Sequence, residues 1–220
     1  MNSRFHSYFV NALTFSRVPL IFAFMILAVT AHHCDSPWAA VAACVLLALA
    51  GLSDLFDGKL ARRWQVVSTF GKLADPLMDK VFFIVSFPTL LWLITVQGDN
   101  LIHAGVMLAF TVLYILRDQW VTFLRAVASA YHADVSAMWL GKVRTALSFP
   151  AAGYIYLYVA FRKYIAQCCE ATLAAQVDAW MLGSVYLIEA FLIALNIYSC
   201  AVYTKVYWPY MVRSMGANRE

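Results

Sequence analysis

Residues 54–79 read DLFDGKLARRWQVVSTFGKLADPLMD. Four aspartates, Asp54, Asp57, Asp75 and Asp79, fall within these 26 residues, although the 220-residue chain has only twelve acidic side chains and is 63% hydrophobic. At about 100° per residue, Asp54, Asp57, Gly58 and Ala61 lie within roughly a 100° arc of one helix, so two carboxylates and two very small residues share a face. Gly71, Asp75 and Asp79 recur at every fourth position and do the same on a second helix. The segment between, ARRWQVVSTF, is long enough to reverse the chain and set the two faces opposite each other.

The surroundings of this stretch are membrane-like. With 15% aromatic and 13% charged residues and a mean hydropathy of +0.72, the chain is too apolar for an ordinary soluble domain. A spanning helix needs about 20 mostly apolar residues, and six such segments are expected, near 9–31, 38–62, 76–97, 101–130, 143–164 and 180–207. The fold class expected is therefore an all-α integral membrane protein, one polytopic domain over residues 1–220. The first run has only Arg4 before it and no small-residue cleavage site, so it reads as a retained helix and not a signal peptide.

Basic residues set the expected orientation. Arg4, the group Lys59, Arg62, Arg63 and Lys72, the pair Lys142 and Arg144, and Lys205, Arg213 and Arg219 fall on one side, while the segments around Cys34 and Gly98 carry no Lys or Arg. The positive-inside rule then turns both termini and the aspartates to the cytoplasm, with Arg162 and Lys163 as exceptions on the outer side. The net charge of +4 is modest and dispersed at helix ends, which argues against nucleic acid and suits anionic lipid headgroups. The five cysteines show no metal-ligand spacing and read as packing residues.

A carboxylate at membrane depth costs roughly 2.5 to 3.5 kcal/mol on insertion scales, so four would cost on the order of 10 kcal/mol without compensation. Two compensations compete: cation ligation by all four, or salt bridges to Lys59, Arg62, Lys72 and Lys80. Oxygen-only ligands suit Mg²⁺ or Mn²⁺, and four carboxylates on facing helices could hold two ions about 3.5 to 4 Å apart, a recurrent arrangement for phosphoryl chemistry. A salt-bridge network would not need Gly58, Ala61 and Gly71 on the same faces. A cation transporter would also place carboxylates between helices, but transporters tend to repeat the device in both halves, and here there is one cluster.

The spacing Asp54-x2-Asp57-Gly58-x2-Ala61-Arg62-x8-Gly71-x3-Asp75-x3-Asp79 resembles the signature of the CDP-alcohol phosphatidyltransferase family at every fixed position. Eight specified residues at average usage recur by chance at roughly 10⁻¹⁰ per starting position. The resemblance implies six transmembrane helices and an enzyme that moves a phosphatidyl group from a CDP-linked lipid onto an alcohol, releasing CMP. By motif position, Asp54, Asp57 and Asp75 would ligate metal, and Asp79 would complete the shell of a second ion and act as the general base. Asp57, Gly58, Ala61, Arg62 and Gly71 would line the cytidine nucleotide site, with Arg62 suited to a phosphate. Members of the family are often dimers, so a homodimer is part of the same expectation, as is a bacterial inner (plasma) membrane location.

The motif does not specify the acceptor. Between residues 115 and 145 the chain reads ILRDQWVTFLRAV and then WLGKVRTA. Arg117, Arg125 and Lys142, with Arg144, could surround a phosphorylated acceptor; alternatively Arg117 pairs with Asp118, and Lys142 and Arg144 are interface anchors. Within the family these segments resemble the phosphatidylglycerophosphate synthases. The shared elements are Arg117, Thr122 with Arg125, Leu140-Gly141-Lys142-Val143-Arg144-Thr145, the N-terminal Asn11, Thr14 and Arg17, and the string Ala74-Asp75-Pro76-Leu77-Met78-Asp79-Lys80. That branch implies glycerol 3-phosphate as acceptor and CDP-diacylglycerol as donor, with Arg117, Arg125 and Lys142 on the acceptor phosphate and Asn11, Thr14 and Arg17 approaching from the first helix. Asp118, where the branch usually has Glu, keeps a rival open: a cardiolipin synthase of the same fold, using phosphatidylglycerol.

Some polar residues stay outside this picture. Glu189 reads as an unpaired intramembrane acid, Asp178 has no evident partner, and His32 and His33 read as solvated loop residues beside Asp35. Trp92, Trp120, Trp139, Trp180 and Trp208 fall near expected helix ends, as interfacial belts do.

Overall fold

The computed structural model describes residues 3–66, 69–98, 100–133, 135 and 138–216, without the side chains at 3–5, 7, 54, 55, 57, 58, 61, 62 and 69–76. Six helices follow one another: α1 (Ser3–His33), α2 (Pro37–Arg63), α3 (Thr69–Gln97), α4 (Leu101–Ala130), α5 (Trp139–Cys168) and α6 (Ala171–Gly216). Each contains one of the expected apolar segments. The chain is an all-α membrane protein, and α1, α3, α4 and α6 are long and apolar enough to cross a bilayer on their own. In α2 the apolar part stops at Ser53, where the aspartates begin.

Local chemistry explains where the helices turn. Between α1 and α2, Ser36 Oγ accepts from the Ala39 amide at 3.3 Å and Pro37 takes the first helical position, where its missing N–H is no loss. Between α3 and α4, Gly98 adopts φ +71°, a conformation without penalty only for glycine. Asn100 then caps α4 by accepting from the His103 amide at 3.0 Å. His32 and His33, expected in a loop, instead form the last turn of α1 and pack edge-on and tilted against Trp92, with ring centroids 5.7 and 5.8 Å away. The aromatic contact with α3 favours one more helical turn over a solvated loop.

Lipid is as apolar as the side chains, so close packing and polar bonds hold these helices together more than water exclusion does. On α2, Ala40, Ala43, Leu47 and Ala50 recur at spacings of three and four and are all buried, letting α1 approach closely through Ile21, Phe24 and Ala28. Between α3 and α4, Phe83 meets Tyr114 with ring centroids 4.9 Å apart, and Phe87 meets Phe110 at 4.8 Å. Such aromatic pairs contribute about 0.5 to 1.5 kcal/mol each beyond area burial.

The same periodicity carries charge inward. The buried stripe of α4 runs Met107, Phe110, Tyr114, Arg117, Val121, Leu124 and Ala128, so Arg117 takes a core position. On α5 the buried stripe begins with Arg144 and continues through Ser148, Ala151 and Ile155. Both arginines therefore point into the bundle, at the end where α2 carries its aspartates.

The opposite end carries its own ion pairs, which correct two expectations. Arg162 pairs with Asp178 at 3.3 Å, so Asp178 does have a partner, and Lys163 binds Asp35. These pairs neutralise the two cations that break the positive-inside pattern. Glu189 is fully buried but not alone: its Oε1 lies 3.1 Å from His103 Nε2, and both side chains are at most 3% exposed. Sequence distance hides all these partners, because each pair joins different elements. The last helix also runs beyond its expected span at both ends, and its 46 residues amount to about 69 Å at 1.5 Å per residue.

Candidate active site

Asp79 is held before any substrate arrives. Its Oδ1 accepts from Arg17 Nη1 at 2.7 Å, and the Arg17 side chain is 1% exposed while Asp79 is 30% exposed. Arg17 Nε reaches Ser53 Oγ at 3.4 Å, and Ser53 is itself anchored to the Ala50 carbonyl at 2.8 Å. Thus α1 and α2 together orient a carboxylate on α3. Thr14, one turn before Arg17, is buried and donates to the Val10 carbonyl; Asn11 lies one turn earlier still. Arg17 therefore reaches Asp79 from the first helix.

The side chains of Asp54, Asp57, Gly58, Ala61, Arg62, Gly71 and Asp75 lie outside the described residues. The backbone that carries them is continuous helix in both α2 and α3, which retains the helical phase on which the expected shared faces depend. The donor chemistry of this stretch is carboxylate oxygen only, and Asp79, its last member, faces a cavity with its carboxylate partly open. A hard divalent cation fits that donor set.

The cavity holds about 1280 Å³ and opens between α2, α3, α4 and α5, with α6 closing one side. Among the described residues, five cationic side chains line it, Lys80, Arg117, Arg125, Lys142 and Arg144, against two carboxylates, Asp79 and Asp118. Leu47, Phe83, Ile84, Phe149 and Leu157 give it an apolar wall as well. An anionic head and an acyl-like tail would both find a matching surface.

Asp118 organises the cations. Its carboxylate lies 3.0 Å from Arg144 Nη2, 3.6 Å from Lys80 Nζ and 3.8 Å from Arg117 Nη1. The pairing of Arg117 with Asp118 therefore exists, but it is the longest of three, and Asp118 ties α3, α4 and α5 together. Lys80 also donates to Thr122 Oγ1 at 3.0 Å, which places the threonine of the Thr-x-x-Arg element beside Asp79's neighbour. Arg144, half a turn from the motif lysine, is 5% exposed at its side chain and more central than Lys142, which is exposed on the rim. Arg125 lines the same cavity, with its Nε donating to the Val135 carbonyl at 3.0 Å.

Two tyrosines and two small polar groups support the buried arginines. Arg144 Cζ sits 4.2 Å from the Tyr114 ring centroid, and Arg117 Cζ sits 5.0 Å from that of Tyr203. Desolvated cation–π contacts of this kind reach about 2 kcal/mol. From α6, Ser199 Oγ accepts from Arg117 Nη2 and Asn196 Oδ1 accepts from Arg144 Nη1 at 3.1 Å. Sequence reading missed Ser53, Ser199 and Tyr203 and gave Asn196 no role here. A signal existed in the polar residues of α6 at spacings of three and four, inside an otherwise apolar run.

Residues 8–202 match the family model described as CDP-alcohol phosphatidyltransferase. Relatives include the CDP-diacylglycerol–glycerol-3-phosphate 3-phosphatidyltransferases of Escherichia coli strain K12 and of Salmonella typhimurium strain LT2. Each is 28% identical over 148 residues, covering 65% of this chain and 73% of the relative.

Proposed function

The chain belongs to the CDP-alcohol phosphatidyltransferase family, and from that premise we propose that it transfers the phosphatidyl group of CDP-diacylglycerol to glycerol 3-phosphate, forming phosphatidylglycerophosphate and releasing CMP. The observation that carries the choice of acceptor is the cation-rich wall of Arg117, Arg125, Lys142 and Arg144 in the cavity that also receives Asp79. A neutral alcohol needs no such wall, and a phosphate dianion does. The relatives named for glycerol 3-phosphate support the same acceptor.

In this reading the acceptor's phosphate rests against Arg117, Arg144, Lys142 and Arg125, which turns its free hydroxyl toward Asp79. Arg17 fixes Asp79 through Oδ1, and Asp79 accepts the hydroxyl proton at Oδ2 as the acceptor oxygen bonds to the lipid-side phosphorus. The diphosphate P–O bond breaks with its electron pair going to CMP. A carboxylate is a weak base for an alcohol, so proximity and electrostatics must contribute most of the acceleration. Mg²⁺ or Mn²⁺ held by Asp54, Asp57, Asp75 and Asp79, two ions when fully loaded, would neutralise the diphosphate and stabilise the departing CMP. Asp57, Gly58, Ala61, Arg62 and Gly71 are the proposed cytidine nucleotide contacts, and the apolar wall takes the acyl chains.

Phosphatidylglycerol as acceptor was suggested by Asp118. That residue's bonds to Arg144 and Lys80 give it a structural task under either acceptor, so the cation wall and the relatives carry the choice. The site end of the bundle faces the cytoplasm in this account, where the water-soluble glycerol 3-phosphate can enter from an inner membrane. Incubating the purified protein with Mg²⁺, CDP-diacylglycerol and radiolabelled glycerol 3-phosphate tests the proposal. Label moving into the organic-extractable lipid fraction supports it; label staying in the aqueous phase, with CMP released only when another alcohol is the acceptor, overturns it.

A further inference from the structure

The reading of the cavity as an acceptor-phosphate site leaves Tyr203 unexplained. Tyr203 is on α6, far in sequence from the aspartate motif, yet it lines the same cavity while only 3% exposed. Its ring lies under Arg117, and its hydroxyl makes no hydrogen bond to the described residues. That hydroxyl is not enclosed like the phenol of Tyr114, so it is open to whatever enters the cavity. The two arginines beside it carry buried donors: Nε of Arg117 and Nε of Arg144 have no partner among the described residues.

Gly141 adds an independent observation. A Cβ at that position would come within 2.8 Å of the Tyr203 hydroxyl and 3.9 Å of Arg117 Nη2. The first distance is closer than non-bonded atoms tolerate, so the absence of a side chain at 141 is what lets the phenol stand beside the guanidinium. The glycine of the Leu-Gly-Lys string therefore answers to a residue 62 positions later.

We propose that Tyr203 is a specificity-determining residue of the acceptor site, its hydroxyl donating to the phosphate of the acceptor while its ring holds Arg117 in place. The phosphate oxygens supply the acceptor that the phenol lacks. A site with buried donors of this kind discriminates strongly against an alcohol that cannot satisfy them.

Tyr203→Phe tests this, because it keeps the ring under Arg117 and removes only the hydroxyl. Losing a hydrogen bond to a charged group should raise KM for glycerol 3-phosphate roughly tenfold, with KM for CDP-diacylglycerol within about twofold and the unfolding temperature unchanged. Gly141→Ala, which crowds the same hydroxyl, should shift the same KM selectively. An unchanged KM for glycerol 3-phosphate in Tyr203→Phe, or equal rises for both substrates, overturns the proposal. Failure of the functional reading itself would show differently, as a wild-type protein that does not consume glycerol 3-phosphate at all.

Discussion

Replacing Arg144 by methionine separates a site role from a structural one. The residue is 4% exposed, so its removal relieves a desolvation cost of several kcal/mol while losing the bonds to Asp118 and Asn196 at 3.0 and 3.1 Å. Bonds to charged groups contribute about 1.5 to 3 kcal/mol each. Asp118 is not orphaned by the change, because Lys80 and Arg117 remain within 3.6 and 3.8 Å, and methionine retains much of the packing against Tyr114. The opposing effects should nearly cancel, and stability should move by less than about 2 kcal/mol. No such cancellation protects the acceptor. Losing one phosphate contact of about 1.5 to 3 kcal/mol raises KM for glycerol 3-phosphate some 10- to 100-fold, with KM for CDP-diacylglycerol little changed. The assay is CMP release at varied concentrations of each substrate, beside thermal unfolding in detergent. Arg162→Met, which breaks the pair with Asp178 at the opposite end, is the control and should leave both constants alone. Equal KM rises for both substrates, or a collapse in stability that matches the loss of activity, would refute the assignment.

Asp79→Asn should abolish turnover while CDP-diacylglycerol binding, measured by equilibrium dialysis in detergent, stays largely intact; near-normal turnover removes Asp79 as the base. Arg125→Ala should raise KM for glycerol 3-phosphate less than Arg144→Met does, because Arg125 is partly exposed where Arg144 is buried and water screens its charge more; kinetics on the two variants side by side decide the order. His103→Leu leaves Glu189 as a buried acid without its partner and should destabilise the bundle by roughly 3 kcal/mol, read as a lower unfolding temperature with both KM values unchanged in the folded fraction.

What could be read from the chain depended on the range of the signal. Helical periodicity and apolar length are local, and all six segments were legible, though α1, α3 and most of all α6 outrun their apolar windows. The aspartate motif was legible because its spacing carries the geometry: residues three and four apart share a face wherever the helix lies. Arg117 and Arg144 were legible as cations, but not as core residues, since that follows from the phase of α4 and α5 against their neighbours. Asp118 looked like a neighbour of Arg117, yet its shortest bonds go to other helices. Tyr203 and Ser199 left only their spacing from Asn196 as a signal, because nothing local distinguishes a polar residue facing a cavity from one facing a headgroup. The partners of Asp178 and Glu189 were hidden for the same reason: ion pairs across 16 and 86 residues leave no spacing to read.

The measurement that tests the central claim most directly is CMP release from CDP-diacylglycerol by the purified protein with Mg²⁺, offering glycerol 3-phosphate, glycerol and phosphatidylglycerol in separate reactions. If the cation wall exists to hold the acceptor's phosphate, glycerol 3-phosphate alone supports turnover and glycerol, identical but for the phosphate, does not. Comparable release with glycerol, or release only with phosphatidylglycerol, would contradict the account.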